Sequence, residues 1–297
     1  MCFVVSLFVR LIDVIRALLG QGPRIRCVVL NYHTVKPAER QRFADQMDLL
    51  VRVAKPIRAD VKQLPDKQGN YVAVTFDDGL EGVLDHALPE LEKRAIPATI
   101  FVVTETMGEY ANWNDMGAAD AVGQKALSLQ QLQRLPTHLI TIGSHSMTHP
   151  FLPSISKDEI RQEVLGSRTK LEQLLKREVR LFSCPYGVFN STVVNTCREA
   201  GYERVFTGMA TMAFSEPNEF VTGRVRTTLS DWPLELRLKL AGAYRWLPTA
   251  IAWKRRMASR FRRAFSDKAA VEQPTNAPPR SLIQSSSGSA GHERSPR

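Results

Sequence analysis

The chain has 297 residues, 43% of them hydrophobic, so it can bury a sizeable core in one large domain or two small ones. Its formal charge is +10, but eleven Lys/Arg against three Asp/Glu fall between Arg245 and Arg297, and everything before carries only +2. The basicity belongs to the tail, which argues against a nucleic-acid groove in the body, and Cys2, Cys27, Cys184 and Cys197 show no CxxC pair, which argues for free thiols in a reducing compartment.

At the amino end, Phe3 to Val9 is apolar, but no basic stretch precedes it and Arg10, Asp13 and Arg16 come directly after it, so neither a spanning helix nor a secretory signal fits. Ser6, Arg10, Asp13 and Arg16 or Ala17 recur at helical spacing, which predicts a one-sided helix over residues 1–22 with a wide apolar face. That face could lie on a membrane surface or pack on the domain, or the stretch could be a poorly formed, uncleaved signal. After the Gly22-Pro23 break, Arg26 to Tyr32 reads as a buried strand ending at His33, and Glu39 to Val53 as a helix with Phe43, Met47, Leu50 and Val51 on one side.

Tyr71 to Phe76 alternates and is rich in Val, Thr and aromatic residues, so it is a strand, and Asp77-Asp78-Gly79 comes immediately after it. Either aspartate could cap the helix that runs from about Gly82 to Arg94. Two adjacent carboxylates in a partly dry site otherwise need a cation or a shared proton. Ala98 to Val103 is the next strand, and the polar segment from Thr104 to Lys125, with Trp113 in it, has the length and place of a substrate-gripping loop. A short helix over Ser128 to Leu135 precedes a strand, His138 to Ser144, that leads straight into His145-Ser146-Met147-Thr148-His149.

Ser156 and Glu159 form a capping box, with Ile155 and Ile160 as a hydrophobic staple, for a helix reaching about Lys176. Val179 to Ser183 is a strand before Cys184-Pro185-Tyr186-Gly187, and Asn190 caps a helix that Gly201 closes. Glu203 to Thr207 and Phe220 to Arg226 bring the strands to seven. Strictly alternating strands and helices argue an α/β fold with a parallel sheet, and seven such units tend to close into a distorted (β/α)7-type barrel. Residues 23–233 make that domain. Leu234 to Trp246 is then helical up to Pro248, and a basic amphipathic helix from Ile251 to Phe265 suits an anionic membrane surface. From Ala269 to Arg297, Pro, Ser and Gly dominate, the composition of a disordered tail.

His33, Asp77-Asp78, His145 with His149, and Pro185-Tyr186-Gly187 each stand where a predicted strand ends. In a parallel barrel all four would open onto one face, the face on which such barrels place active sites. Two histidines four apart with one carboxylate make a two-nitrogen, one-oxygen set that leaves positions open, the pattern of a catalytic divalent ion. Zn2+ is the first choice, and cobalt, nickel or manganese would accept the same ligands.

TFDDG, HSMTH and PYG, in that order at strand ends, resemble the polysaccharide deacetylases of carbohydrate esterase family 4, the NodB homology family. The resemblance covers roughly Arg26 to Arg226. It implies Asp77 as general base, Asp78, His145 and His149 as metal ligands, and the Tyr186 backbone N–H as donor to an oxyanion. Two departures matter: Ser183 stands where the family has an arginine, and no histidine lies between His149 and His292 to act as the late general acid. Arg224 or Arg226 could supply the missing cation. His33, in Asn31-Tyr32-His33, resembles the early Tyr-His of the biofilm-polysaccharide branch, where that histidine is the acid; it could instead be a buried structural histidine.

The resemblance thus implies a metal-dependent hydrolase that removes an N-acetyl or N-formyl group from an amino sugar of a polysaccharide or lipid-linked glycan. The alternative is a decayed, sugar-binding module of the same fold. The amphipathic ends and free cysteines place the protein at the cytoplasmic face of a membrane, with the periplasm as the alternative.

Overall fold

In the computed structural model, the described residues are 2–21, 25–66, 68–113, 123–254 and 257. The chain divides into two units, Met1–Ile251 and Ala252–Arg297. The expected basic helix from Ile251 to Phe265 falls largely outside the described residues, and the tail from Ala269 wholly so.

Nine strands form one sheet: β1 Ile25–Tyr32, β2 Lys55–Pro56, β3 Gly69–Phe76, β4 Ala98–Val102, β5 Ile140–Ser144, β6 Leu181–Ser183, β7 Arg204–Thr207, β8 Val221–Gly223 and β9 Val225–Arg226. Their order is β8-β7-β6-β5-β4-β3-β1-β9, every pairing is parallel, and β2 adds to β3. Since β8 pairs with β7 and β9 pairs with β1, the two ends of the sheet are one residue apart in the chain and the barrel is nearly closed. The single strand expected over Phe220 to Arg226 is therefore two. It breaks at Arg224, where the chain passes from one side of the seam to the other. β2 was not expected, because two residues ending in proline carry no periodic signal.

The period of two along each strand sorts the side chains into layers. Val28, Leu30 and Tyr32 of β1, Val72, Val74 and Phe76 of β3, Ile100 of β4 and Phe182 of β6 face the helices and share the larger core. Cys27, Val29, Tyr71, Ala73, Phe101, Leu181 and Phe206 alternate with them and fill the barrel interior. Carried on to the carboxyl ends of the strands, the inward parity falls on Asn31, Thr75, Asp77 and Ser183. The polar residues thus lie above an apolar plug of Phe101 and Phe206, whose ring centroids are 5.3 Å apart.

The outer layer comprises α1 Cys2–Leu18, α2 Arg40–Val53, α3 Leu88–Lys93, α4 Leu129–Arg134, α5 Lys157–Arg161, α6 Ser167–Leu175, α7 Ser191–Glu199 and α8 Pro233–Leu240. The Ser156 and Ser128 capping boxes and the Asn190 cap are formed. Wide π-turns at Val83–Ala87 and Gln162–Gly166 interrupt the helices expected to be continuous there. The helix expected from Leu234 to Trp246 stops at Leu240, because Gly242 turns left-handed (φ 69°), and Pro248 sits in the first turn of the helical segment 247–254 rather than ending one. All four cysteines are free, three of them buried. No helix among the described residues is long and apolar enough to cross a membrane.

Candidate active site

Asp77 and Asp78 leave β3 in opposite conformations. Asp77 continues the strand direction, its N–H donating to the Tyr32 carbonyl at 2.9 Å, while Asp78 (φ 71°) and Gly79 (φ 66°) are both left-handed. The reversal sends consecutive carboxylates to different jobs. Left-handed backbone recurs at Ser146, His149 and Tyr186, all in turns at the same end of the barrel, the kind of strain that clusters where side chains must be aimed. Gly187 (φ 67°) packs so closely on Gly208 that a Cβ there would come within 2.6 Å of the Gly208 backbone, which pins the Pro185-Tyr186-Gly187 turn.

Asp77 is enclosed by donors. Arg224 spans its carboxylate with two bonds, Nη1 to Oδ1 at 2.7 Å and Nη2 to Oδ2 at 2.8 Å; Ser183 Oγ donates to Oδ1 at 3.1 Å and Asn31 Nδ2 to Oδ2 at 3.0 Å. Burial would raise this carboxyl, but the Arg224 guanidinium, with His145 and His33 nearby, more than offsets it and holds the group well below the usual carboxylate range. Asp77 is therefore ionised throughout the neutral range. Asp78 has the opposite setting. Neither of its buried oxygens has a hydrogen bond of good geometry, and burial with the neighbouring Asp77 charge pushes it up to about 8 against a smaller downward pull from the Trp113 indole and Arg224.

A buried carboxylate without a well-formed hydrogen bond calls for a cation, and the partners are in place. Ligand atoms of Asp78, His145 and His149 all lie within 4.8 Å of one another. His145 Nδ1 meets the Ser183 carbonyl at 2.8 Å, which fixes the tautomer and turns Nε2 to Asp78 Oδ1 at 3.6 Å; His149 Nε2 is 3.5 Å from the same oxygen. Burial lowers His145 to about 4 and His149 further, so both rings are neutral and able to donate a lone pair. The donor set fits a borderline divalent ion such as Zn2+, with open positions left for water or substrate.

The loop that carries the histidines is held from outside. Glu163 accepts from the backbone N–H groups of Met147 and Thr148 at 2.7 and 2.9 Å and from the Thr148 hydroxyl at 2.6 Å. Gly166 lets the helix approach, since a Cβ there would meet Met147 Sδ at 2.5 Å. The indole of Trp113 stacks on His149 at 4.8 Å between centroids, and the Tyr186 ring meets His149 edge-on at 4.6 Å. Trp113 is thus a buried wall against His149.

A cavity of about 180 Å³ is lined by His33, Asp77, Asp78, His145, His149 and Tyr186, together with Asn31, Gly187, Gly208, Arg224 and Arg226. All six residues singled out from the sequence therefore meet at one mouth. Of the two arginines considered, Arg224 is the one that spans Asp77. Sequence spacing assigns no role to Asn31 and Glu163 and places Trp113 only within the polar loop; the inward parity of β1 points to Asn31, and nothing local points to Glu163.

These pKa directions give a test of the ligand set. Asp78 binds a proton below about 8 and must release it to bind an ion, while the histidines are already neutral. Zinc affinity of the metal-stripped protein, measured by competition with a chromogenic chelator, should therefore rise about tenfold per pH unit between 6 and 8 and flatten above. A flat profile over that range would remove Asp78 from the set.

A sequence profile of the polysaccharide deacetylase family matches residues 65–205. A chitooligosaccharide deacetylase of Sinorhizobium fredii is 26% identical over 148 residues, 49% of this chain and 60% of that protein. The solved structure of IcaB from Ammonifex degensii is similar at 27% identity with a TM-score of 0.61, covering 74% of this chain and 97% of that one. The Streptococcus pyogenes deacetylase PplD, solved with acetate, shares the fold at 21% identity and a TM-score of 0.60, over 73% of this chain and 99% of that one.

Proposed function

Because this chain belongs to the polysaccharide deacetylase family, hydrolases of carbohydrate esterase type, we propose that it removes an N-acetyl, or N-formyl, group from an amino sugar in a metal-dependent reaction. One observation carries the reading: residues scattered from His33 to Tyr186 close on a single cavity around a buried carboxylate that has no hydrogen bond of good geometry.

Asp78, His145 and His149 would hold the ion. When bound, a divalent cation supplies Lewis acidity, acidifying water and polarising a carbonyl. Asp77, ionised and fixed by Arg224, Ser183 and Asn31, accepts the proton of the attacking water. It is a weak base, so its value lies in being always deprotonated and always aimed. The Tyr186 backbone N–H donates to the oxygen that gains charge as the carbonyl carbon becomes tetrahedral. His33, which lines the same cavity, protonates the amine as the carbon–nitrogen bond breaks, leaving acetate and a free amino sugar. Arg224 fills the role left open by Ser183, which removes the reason for reading the chain as a decayed sugar-binding module.

The substrate class is an N-acylated amino sugar, in a polymer or carried on a lipid. The outward apolar face of α1 and the basic carboxyl-terminal segment support work at an anionic membrane surface, on the cytoplasmic side. The deciding experiment measures acetate release from an N-acetylglucosamine oligomer and from a lipid-linked N-acetyl sugar. Activity should vanish with a chelator and return with Zn2+. His33→Ala should lower kcat by about a hundredfold or more with unchanged zinc content. Release that ignores the chelator would end the metal reading, and full activity in His33→Ala would take the acid role from that residue.

A further inference from the structure

α1 is built inside out. Its polar stripe is the buried one: Ser6 and Asp13, seven residues apart on one face, are shielded from solvent, while Val4, Leu7, Phe8, Leu11, Ile12, Val14, Ile15 and Leu18 are exposed, Phe8 by 65% and Leu18 by 82%. A helix that packed to hide apolar surface would be turned half a revolution from this. Its orientation is fixed by polar contacts. Arg245 spans the Asp13 carboxylate with bonds of 2.8 and 2.6 Å, Trp246 Nε1 donates to Ser6 Oγ at 3.0 Å, and Phe3 packs on Trp232 with centroids 5.0 Å apart. Trp232 comes after the carboxyl end of β9 and α1 leads back to the start of β1, so the helix runs down the flank of the barrel, about 25 Å at 1.5 Å per residue.

On the side of α1 that carries Asp13 lies a cavity of about 420 Å³ with Arg16, Arg26 and Arg245 in its wall and Asp13 as the one carboxylate, already spanned by Arg245. The site combines an apolar strip with an adjoining excess of positive charge. A second copy of the chain would set arginine against arginine, since the only acid of α1 is buried. An anionic lipid surface answers both features, acyl chains meeting Phe8, Leu11 and Leu18 and headgroup phosphates meeting the arginines.

We propose that α1 is a monotopic membrane anchor whose outward face enters the headgroup region of an anionic bilayer, with the Arg16, Arg26 and Arg245 cavity receiving a lipid phosphate. This deepens the reading of a membrane-surface deacetylase by naming the element that docks. It also orients the enzyme: the barrel lies on its side, and the catalytic mouth opens along the membrane plane, within reach of sugars attached to the bilayer.

The test is co-sedimentation of the full-length protein with vesicles of phosphatidylcholine alone and of phosphatidylcholine mixed with phosphatidylglycerol. The parent should bind the mixed vesicles, and Phe8→Glu with Leu11→Glu should weaken that binding by about tenfold or more. Hydrolysis of a soluble oligomer and the far-ultraviolet circular dichroism should stay as in the parent. Because the substituted side chains already face solvent, the fold does not depend on them. A polarity-sensitive dye on Leu11→Cys, introduced together with Cys2→Ser so that no other exposed thiol is labelled, should shift its emission to the blue with mixed vesicles only. Asp77→Asn should bind vesicles like the parent, so an inactive enzyme and an unanchored one are told apart. Undiminished binding in the double variant would overturn the proposal in favour of the basic carboxyl-terminal segment. So would a dimer, seen by light scattering, that the double variant splits.

Discussion

Asp77→Asn is expected to lower kcat for acetate release by about a thousandfold or more while affinity for added Zn2+ is kept. The substitution is nearly isosteric, but it turns one of the two oxygens that four donors share into an amide nitrogen, itself a donor. The amide oxygen can take one arm of the Arg224 fork; the amide nitrogen then faces the other arm, together with Asn31 Nδ2 at the Oδ2 position or the Ser183 hydroxyl at the Oδ1 position. What is lost for chemistry is the group that is deprotonated at every working pH. The ligand set responds the other way. The Asp77 charge is one of the causes that hold Asp78 in its protonated form, so without it Asp78 ionises more readily and zinc affinity near neutrality should hold or rise. Kinetics on a soluble oligomer, paired with zinc stoichiometry, separates the two roles. Zinc lost together with activity would make Asp77 a ligand, and activity within tenfold of the parent would deny it the role of base.

Much of this site could be read before folding because strand ends are legible. A strand of alternating apolar residues that stops at a charged or aromatic-glycine cluster announces both an end and a face, and a parallel barrel gathers all such ends on one rim. That was enough for Asp77, Asp78, His145, His149, Tyr186 and His33. It failed where function depends on side-chain parity across distant strands. Arg224 looked no better than Arg226 in a continuous strand; the break between β8 and β9 turns Arg224 into the interior and leaves Arg226 at the exposed rim. For α1 the helical spacing was legible, but whether its apolar face would pack on the domain or turn outward stayed open. Periodicity finds the two faces of a helix, but which face goes inward depends on partners such as Arg245 and Trp246, more than two hundred residues away.

Arg224→Met should be the most destabilising single change at the site, and its kinetic signature should be a displaced pH profile. The guanidinium is 1% exposed, lies 5.4 Å from the centre of the Phe101 ring and 5.9 Å from that of Phe206, and also donates to Thr75 and Asn31. Methionine keeps the packing and strips the charge, leaving Asp77 buried without its partner, a change that typically costs about 3–5 kcal/mol. The pH dependence has a definite sign. In the parent, the carboxyl is held below its unfolded value, so its contribution to stability is present above the ordinary carboxylate range and fades only in stronger acid. In the variant, burial dominates and raises the group, so ionising it costs stability as pH rises. The denaturation midpoints of parent and variant should therefore converge in acid and diverge toward neutrality, and the acid limb of kcat should move to higher pH. Rescue tests the relocation itself. Ser183 Oγ is 2.7 Å from Arg224 Nη2, so an arginine grown from position 183 reaches the same carboxylate only if the resident one is gone. Ser183→Arg should therefore harm the parent by overpacking a buried position, yet restore part of the activity, and the parent acid limb, when combined with Arg224→Ser. Two additive losses in that double variant would mean that Arg224 does more than hold Asp77.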